Sequence, residues 1–343
     1  MPTVVDGPVR WDPWDPALFR DPYPTFKRLR DEAPLYRNDE HDFWALSRFD
    51  DVERGLKDPA TYSSAHGDIL ELIQARVELP PGTVIFEDPP DHTEHRKLMS
   101  RVFTPRKVSE LEPQIRRFCA DCLDPLVGTD RFDLIQDFGS QMPTRVIGML
   151  FGIPEEDQAA VRDRTDQNLG TRAGEKMEVG SNVANLVNEG FGEYLDWRAE
   201  HPSDDLMTEL MNATFDDHGT ERTLTREELL TYLSVIIGAG NETTNRLIGW
   251  TGKLLAEHPD QLHDLVDDHS LIPATIEEVL RFEPPGPSLA RYVTTDVELY
   301  ERTVPAGSAM LFLAAAANRD DRRWSEPERF DIHRESLAQV TLG

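Results

Sequence analysis

An acidic and a hydroxyl side chain stand side by side at Glu242 and Thr243, directly after an apolar stretch. Residues 233–239 read Leu-Ser-Val-Ile-Ile-Gly-Ala, so we expect this part of the chain to be buried on every side. A lone carboxylate is costly to bury unless the fold uses it. The pair could therefore move protons beside a bound ligand. A core helix with a water-filled kink is the simpler alternative.

One long helix is expected to position this pair. Thr225 and Glu228 form the pattern of a capping box, and Pro259 ends the helix because the residue before a proline avoids helical geometry. The helix should span about 32 residues, or roughly 48 Å. A helical threonine can bond the carbonyl four residues earlier, so Thr243 should bond Ala239 and open the helix there.

The string Ala-Gly-Asn-Glu-Thr-Thr over residues 239–244 resembles the oxygen-binding helix of the cytochromes P-450, the haem-thiolate monooxygenases. In that family the acid and the alcohol relay protons during oxygen activation. The resemblance therefore implies a catalytic role for Glu242 and Thr243. It also implies that Ala239 and Gly240 border the haem, where a missing side chain lets a flat ligand approach the backbone.

A second stretch, residues 87–98, could bind an anionic ligand. His92 and Arg96 are four residues apart on an expected helix, so they share one face. Two cations on one face suit a ligand with carboxylates, and an exposed salt-bridged face is the alternative. Cytochromes P-450 carry a His-x-x-x-Arg here, followed by a turn that residues 103–106, Phe-Thr-Pro-Arg, resemble. The resemblance assigns His92 and Arg96 to a haem propionate.

The C-terminal third carries further motifs of the same family in the same order. Glu278 and Arg281 match its Glu-x-x-Arg signature, and Arg329 lies in a Pro-Glu-Arg-Phe loop whose arginine joins that cluster. Arg291, at the start of an expected strand, matches the position that binds the other propionate. The resemblance also implies a set of residues that face the substrate, although core packing is the alternative for the last of them: Phe86, Ile236, Ala239 and Leu289.

The same region permits a rival interpretation from another class of protein. The His-Thr-Glu of residues 92–94, followed by Cys119 and Cys122, is similar to the ligand pattern of zinc deaminases. However, Phe118 precedes the first cysteine where that pattern has proline. The cysteines also fall inside a helical pattern over residues 115–126. Two half-buried helix residues are the simpler interpretation of these cysteines.

Acidic residues dominate the composition, with 64 Asp and Glu against 36 Lys and Arg and a formal net charge of −28. This charge disfavours nucleic acid and anionic membranes as partners. With 2 cysteines there is no disulfide framework, which favours the reducing cytoplasm. No apolar run approaches the length of a membrane span. We therefore expect a cytoplasmic protein without nucleic-acid or membrane partners.

The resemblance covers roughly Trp11 to Gly343. It implies a mainly α fold with small β-sheets (α+β), in one cytochrome P-450-like domain over residues 1–343, and heme b (iron protoporphyrin IX) as the cofactor. From the residues themselves, short strands are expected near 35–37 and 43–47, and a helix at 49–56. In the family, a cysteine loop and a last helix follow the Pro-Glu-Arg-Phe loop.

That cysteine loop supplies the thiolate that binds iron in the family. No such cysteine occurs before the sequence stops at Gly343, so the ligand is expected beyond it, with the C-terminal part of the fold missing. Cys119 and Cys122 lie on a different helix in the family layout and are not expected to replace it. The sequence thus predicts an enzyme whose metal ligand is absent from these residues, and which is inactive without it.

The resemblance implies monooxygenation of a small apolar substrate, of a steroid, lipid or terpenoid-like kind, by a monomer. Dioxygen is the second substrate, and electrons would come from ferredoxin and ferredoxin reductase. A non-catalytic remnant of the same fold is one alternative, and the zinc deaminase is the other.

Overall fold

The computed structural model describes residues 7–80, 82–155, 158, 175–177, 179, 192–335 and 338–342. They form two compact units. The first unit takes in the described residues up to Arg76, residues 175–177 and the residues from Asp260 onward. The second unit takes in the other described residues from Val77 to Pro259. Helices predominate over small sheets, so the expected fold class is confirmed. A single domain over residues 1–343 stays a prediction.

The described helices are, in chain order, α1 Pro16–Arg20, α2 Tyr23–Glu32, α3 Phe49–Leu56, α4 Leu70–Ala75, α5 Asp91–Val102, α6 Pro105–Leu123, α7 Met142–Phe151, α8 Gly192–Glu200, α9 Leu206–Asn212, α10 Arg226–Glu257, α11 Pro259–Asp267, α12 Ile272–Phe282 and α13 Ala314–Ala317. Short 3₁₀ turns cover Val84–Phe86, Asp124–Leu126 and His269–Leu271, and a π-helical turn covers Ile135–Gly139. The strands are β1 Leu35–Asn38, β2 Phe43–Leu46, β3 Tyr62–Ser63, β4 Thr214–Asp217, β5 Thr220–Thr223, β6 Leu289–Val293, β7 Val297–Leu299, β8 Arg302–Val304 and β9 Ala309–Phe312.

A five-stranded sheet organises the first unit, in the order β1-β2-β9-β6-β3. The pair β2–β9 is parallel and the other pairs are antiparallel. Both β2 and β9 consist entirely of buried residues, as expected for strands covered on both faces. The expected strands at 35–37 and 43–47 and the helix at 49–56 are confirmed. This sheet places Leu289 and Arg291 on β6.

The long helix α10 is the central element of the second unit, and it has the predicted bounds and the predicted 32 residues. Its capping box is complete: Thr225 accepts from the Glu228 backbone, and the Glu228 side chain accepts from Thr225. Arg222 donates to both oxygens of Glu228 at 2.8 Å. This ion pair, aided by the Thr225 hydrogen bonds, lowers the pKa of Glu228 to about 2. The cap therefore stays ionised at neutral pH.

Within the ranges given above, no helix is both long enough and apolar enough to cross a membrane.

Candidate functional site

One face of α10 is open at the predicted chemical residues. Ala239, Thr243 and Arg246, spaced by four and three residues, form an exposed stripe. On the opposite side Asn241 is buried and accepts a 3.3 Å hydrogen bond from the Thr144 hydroxyl of α7. The expectation that the helix is buried on every side up to Ala239 is wrong, because Ser234 and Ile236 are half-buried and Ala239 is exposed. A ligand could reach the backbone along the open stripe.

The predicted threonine geometry is present. The Thr243 hydroxyl donates to the Ala239 carbonyl over 2.6 Å, as the i−4 pattern requires. This bond uses the hydroxyl proton and leaves the oxygen lone pairs on the exposed face. Thr243 can therefore accept a hydrogen bond from a ligand or a water molecule there, and it can exchange its proton when the hydroxyl rotates.

Gly240 has a structural explanation different from the expected one. A Cβ atom at this position would lie 2.8 Å from the Cδ1 atom of Ile147 on α7. The missing side chain therefore makes room for helix packing. The close approach of a flat ligand to Gly240 stays a prediction.

Glu242 is not the lone buried carboxylate that the sequence predicted. Its side chain is 40% exposed and forms an ion pair with Arg246, one turn further along α10. The i,i+4 spacing of the two residues carries the signal for this pair, which the sequence interpretation missed. Glu242 is thus held by Arg246 at the edge of the open face, in contact with solvent.

Two nitrogen-bearing side chains share one face of α5. His92 is half-buried and Arg96 is exposed there, and neither side chain has a hydrogen-bond or ion-pair partner within the described residues. By contrast, Lys97 on the same helix pairs with Glu94 over 2.5 Å. The imidazole of His92 and the guanidinium of Arg96 can both donate hydrogen bonds, so they fit a ligand that brings carboxylates, as haem does through its propionates.

The remaining predicted ligand-facing residues are divided between the two units. Phe86 is buried in its 3₁₀ turn and Ile236 is half-buried on α10, both in the second unit. Leu289 and Arg291 are half-buried on β6 of the first unit. The Arg291 guanidinium donates to the Ala290 carbonyl over 2.8 Å. Each of these roles toward a ligand stays a prediction.

The Glu-x-x-Arg pair is a buried structural cluster. The side chains of Glu278 and Arg281 are 4% and 2% exposed, and Arg281 donates to both carboxylate oxygens at 2.7 and 2.8 Å. Arg281 also donates to the backbone carbonyls of Asn318, Pro327 and Arg329. It therefore ties α12 to two loops of the first unit.

The prediction that Arg329 is the third member of this cluster is wrong. Its side chain is 61% exposed and points to Glu326 and Asp331 at 3.6 and 3.8 Å. Arg334 instead lies 3.3 Å from Glu278. The loop turns so that only the Arg329 carbonyl faces inward, a backbone detail that a motif match does not reveal.

The two cysteines lie on α6, Cys119 half-buried and Cys122 buried. Burial, and next the neighbouring Cys122, raise the pKa of Cys119, so this side chain stays a thiol rather than the thiolate that metals require. Among the residues that the structure describes, no three His, Cys, Asp or Glu side chains converge as metal ligands. The zinc deaminase interpretation therefore has no support in the fold.

Comparisons with known proteins agree with the motifs. The family model described as Cytochrome P450 matches residues 158–339. Putative cytochrome P450 123 of Mycobacterium tuberculosis (strain ATCC 25618 / H37Rv) is 38% identical over 336 residues, which cover 97% of this chain and 82% of that protein. Vitamin D(3) 25-hydroxylase of Pseudonocardia autotrophica is 33% identical over 348 residues, covering 100% of this chain and 85% of that protein.

The fold itself also has close matches among solved structures. Cytochrome P450 CYP109Q5 from Chondromyces apiculatus matches with a TM-score of 0.84 and 33% sequence identity, covering 98% of this chain and 84% of that one. Sequence and fold thus point to the same family of proteins.

Proposed function

The chain belongs to the cytochrome P450 family of haem-dependent monooxygenases, and from this premise we propose that it hydroxylates a small apolar substrate with electrons from a ferredoxin. The observation that carries the proposal is the open face of α10, where the exposed Thr243 hydroxyl bonds the Ala239 carbonyl over 2.6 Å. On the same helix the charged Glu242 stands beside it. Small residues, an alcohol and an acid on one open helical face suit oxygen chemistry.

Haem, when bound, supplies the activation of dioxygen. We assign its propionates to His92 and Arg96 on α5 and to Arg291 on β6. The supporting fact for α5 is that both of its side chains lack protein partners within the described residues. Charge-assisted hydrogen bonds to carboxylates are roughly twice as strong as neutral ones, so these cations would orient the bound group.

Glu242 and Thr243 are assigned to proton delivery. Glu242 is partly exposed and paired with Arg246, so its carboxylate is held in place at a point that solvent reaches. The Thr243 hydroxyl can hand its proton toward the open face and take another in return. A proton relay of this kind typically contributes about 10²–10⁴ in rate.

The substrate is proposed to be apolar and of the steroid, lipid or terpenoid-like kind. The half-buried Ile236 of the second unit and Leu289 of the first unit offer apolar surface, and Phe86 is an apolar ring buried in its 3₁₀ turn. One relative, 33% identical to this chain, is named vitamin D(3) 25-hydroxylase, which supports a substrate of the apolar kind. We do not assign the position that is hydroxylated.

We propose that the electrons come from ferredoxin and ferredoxin reductase. We also propose that the protein is a monomer and that it works in the cytoplasm. The test uses the natural gene product that carries this sequence, supplied with both redox proteins and a panel of steroids and fatty acids under ¹⁸O₂. A product that contains one labelled oxygen atom is expected. If the protein accepts electrons from the redox proteins but oxidises no substrate of the panel, the result would favour a non-catalytic remnant of the fold.

Replacing Arg96 by leucine is expected to weaken haem retention about tenfold or more, because one propionate loses its charged donor. The measurement is the rate of haem transfer to an excess of a haem scavenger. Circular dichroism should show unchanged helix content, since Arg96 has no partner among the described residues. Arg101→Leu on the same helix is the control. Equal retention in all three proteins would contradict the assignment.

A further inference from the structure

A buried histidine–carboxylate contact lies on α5 beside His92 and Arg96. The Nδ1 atom of His95 lies 2.7 Å from a carboxylate oxygen of Glu87, and the two side chains are 9% and 16% exposed. His95 follows His92 by three residues and precedes Arg96 by one, so it fixes the helix that carries both. Neither the family motif at this helix nor the proposed reaction assigns a role to His95 or Glu87.

Aromatic side chains enclose the His95 ring on two sides. The ring meets Phe215 of β4 edge-on at 5.0 Å and Tyr232 of α10 at 5.6 Å. Tyr232 is fully buried, and its hydroxyl has no hydrogen-bond partner within the described residues. The imidazole of His95 thus links α5 to strand β4 and to the long helix α10.

Glu87 connects His95 to Phe86, which the sequence predicts to face the substrate. It follows Phe86 directly, at the end of the 3₁₀ turn Val84–Phe86. One ion pair therefore holds two predicted ligand-facing groups at once: the apolar ring of Phe86 and the cations of α5. If the contact between His95 and Glu87 were lost, α5 and the Phe86 turn would be less firmly packed against α10 near Tyr232.

Four acidic or phenolic groups face His95. Burial by itself would lower the pKa of His95, but the hydrogen bond and charge of Glu87, followed by the charges of Glu228 and Asp91, raise it above the ordinary value of 6.5. Burial, and then the charges of Glu87 and Glu228, raise the pKa of Tyr232, so the phenol stays neutral. Strand β5 carries a positively charged side chain, Arg222, but this side chain forms ion pairs with Glu228 and Asp217.

We propose that Glu87 and His95 are positioning residues, and that their ion pair fixes α5 and the Phe86 turn against α10 so that haem retention depends on protonation of His95. This inference rests on the proposed function, because it takes His92 and Arg96 as propionate ligands. His95 and Glu87 themselves touch neither haem nor substrate. They act through the helix and the turn that they hold.

The sign of the pH dependence follows from the direction of the shift. A histidine whose pKa is higher in the folded than in the unfolded protein contributes stability that is complete below the unfolded value. That contribution is lost as the pH rises through the folded value. Haem release from the natural gene product should therefore be faster at pH 9 than at pH 6, and the rise should follow the titration of His95.

The first measurement uses the unmodified protein, with and without haem. In the haem-free protein, the ring proton signals of His95 are followed from pH 5 to pH 9 by NMR and are assigned with the His95→Gln variant. A midpoint above 6.5 is expected. In the haem-loaded protein, the rate of haem transfer to a scavenger is measured over the same range, and it should rise with that midpoint.

The second measurement removes the charge of the partner but keeps its shape. In Glu87→Gln, burial dominates and the midpoint of His95 should fall below 6.5. Haem release should then be independent of pH and about as fast as from the unmodified protein at pH 9. The control is His218→Gln, which removes an exposed histidine 3.2 Å from Asp91 on the same helix and should keep the original pH profile.

Two results would overturn the proposal. One is a His95 midpoint at or below 6.5 in the unmodified protein, and the other is a Glu87→Gln variant that keeps the original pH profile of haem release. If Glu87→Gln does not fold, the unmodified protein and His95→Gln decide between the outcomes. A gene product that binds no haem at all would contradict the proposed function, whereas the NMR midpoint would still decide whether the ion pair forms.

Discussion

In the Thr243→Ala enzyme, most reducing equivalents are expected to appear as hydrogen peroxide rather than as hydroxylated product. The Thr243 hydroxyl lies on the open face of α10, and in the proposed relay it is the group that follows Glu242. We expect product per NADH to fall at least about tenfold, a modest part of what a positioned acid–base group contributes. Substrate affinity should change less than about twofold, because the hydroxyl bonds its own helix.

Two variants separate chemistry from packing in this experiment. Thr243→Ser keeps the hydroxyl and should restore most of the coupling of electrons to product. Thr244→Ala removes the neighbouring hydroxyl and should remain coupled. Peroxide, product and NADH are measured together in each enzyme. Normal coupling in Thr243→Ala would contradict the assignment of Thr243 to proton delivery.

Arg281→Leu is expected to destabilise the protein by about 3–5 kcal/mol, the usual cost of breaking a buried ion pair. Its side chain is 2% exposed and donates to Glu278 and to three backbone carbonyls, all of which would lose a charged donor. The measurement is chemical unfolding of the haem-free protein, which keeps the result independent of cofactor binding.

The structure also predicts how much two other arginines of this region contribute to stability, relative to each other. Arg329→Leu should cost less than about 1 kcal/mol, because its side chain is 61% exposed. Arg334→Leu should cost more than Arg329→Leu, since Arg334 lies 3.3 Å from the buried Glu278. The reverse order would restore the sequence-based prediction that Arg329 completes the cluster.

The local structure of α10 could be predicted from sequence because its signals are local. Its capping box at Thr225 and Glu228, its end before Pro259 and the Thr243–Ala239 hydrogen bond all depend on residues within one turn of each other. The Glu242–Arg246 pair has an equally local signal and was missed because the motif drew attention to the acid alone.

Interactions between distant segments could not be predicted in the same way. Whether Arg329 or Arg334 reaches Glu278 depends on how one loop turns, and no spacing rule fixes that turn. The pairing of His95 with Glu87 likewise requires that the chain before α5 fold back beside it. Family motifs mark His92 and Arg96 but assign no role to His95, which precedes Arg96.

The ferrous carbon monoxide spectrum shows whether this chain belongs to a haem-thiolate monooxygenase. The natural gene product that carries this sequence is purified, reduced and exposed to carbon monoxide. We expect the red-shifted Soret band of thiolate-ligated haem. The band should be unchanged when Cys119 and Cys122 are both replaced by serine, because these α6 cysteines are not assigned to the iron. A protein without bound haem, a band of the imidazole-ligated type, or loss of the band in the double variant would show that the chain does not work as a haem-thiolate enzyme of this kind.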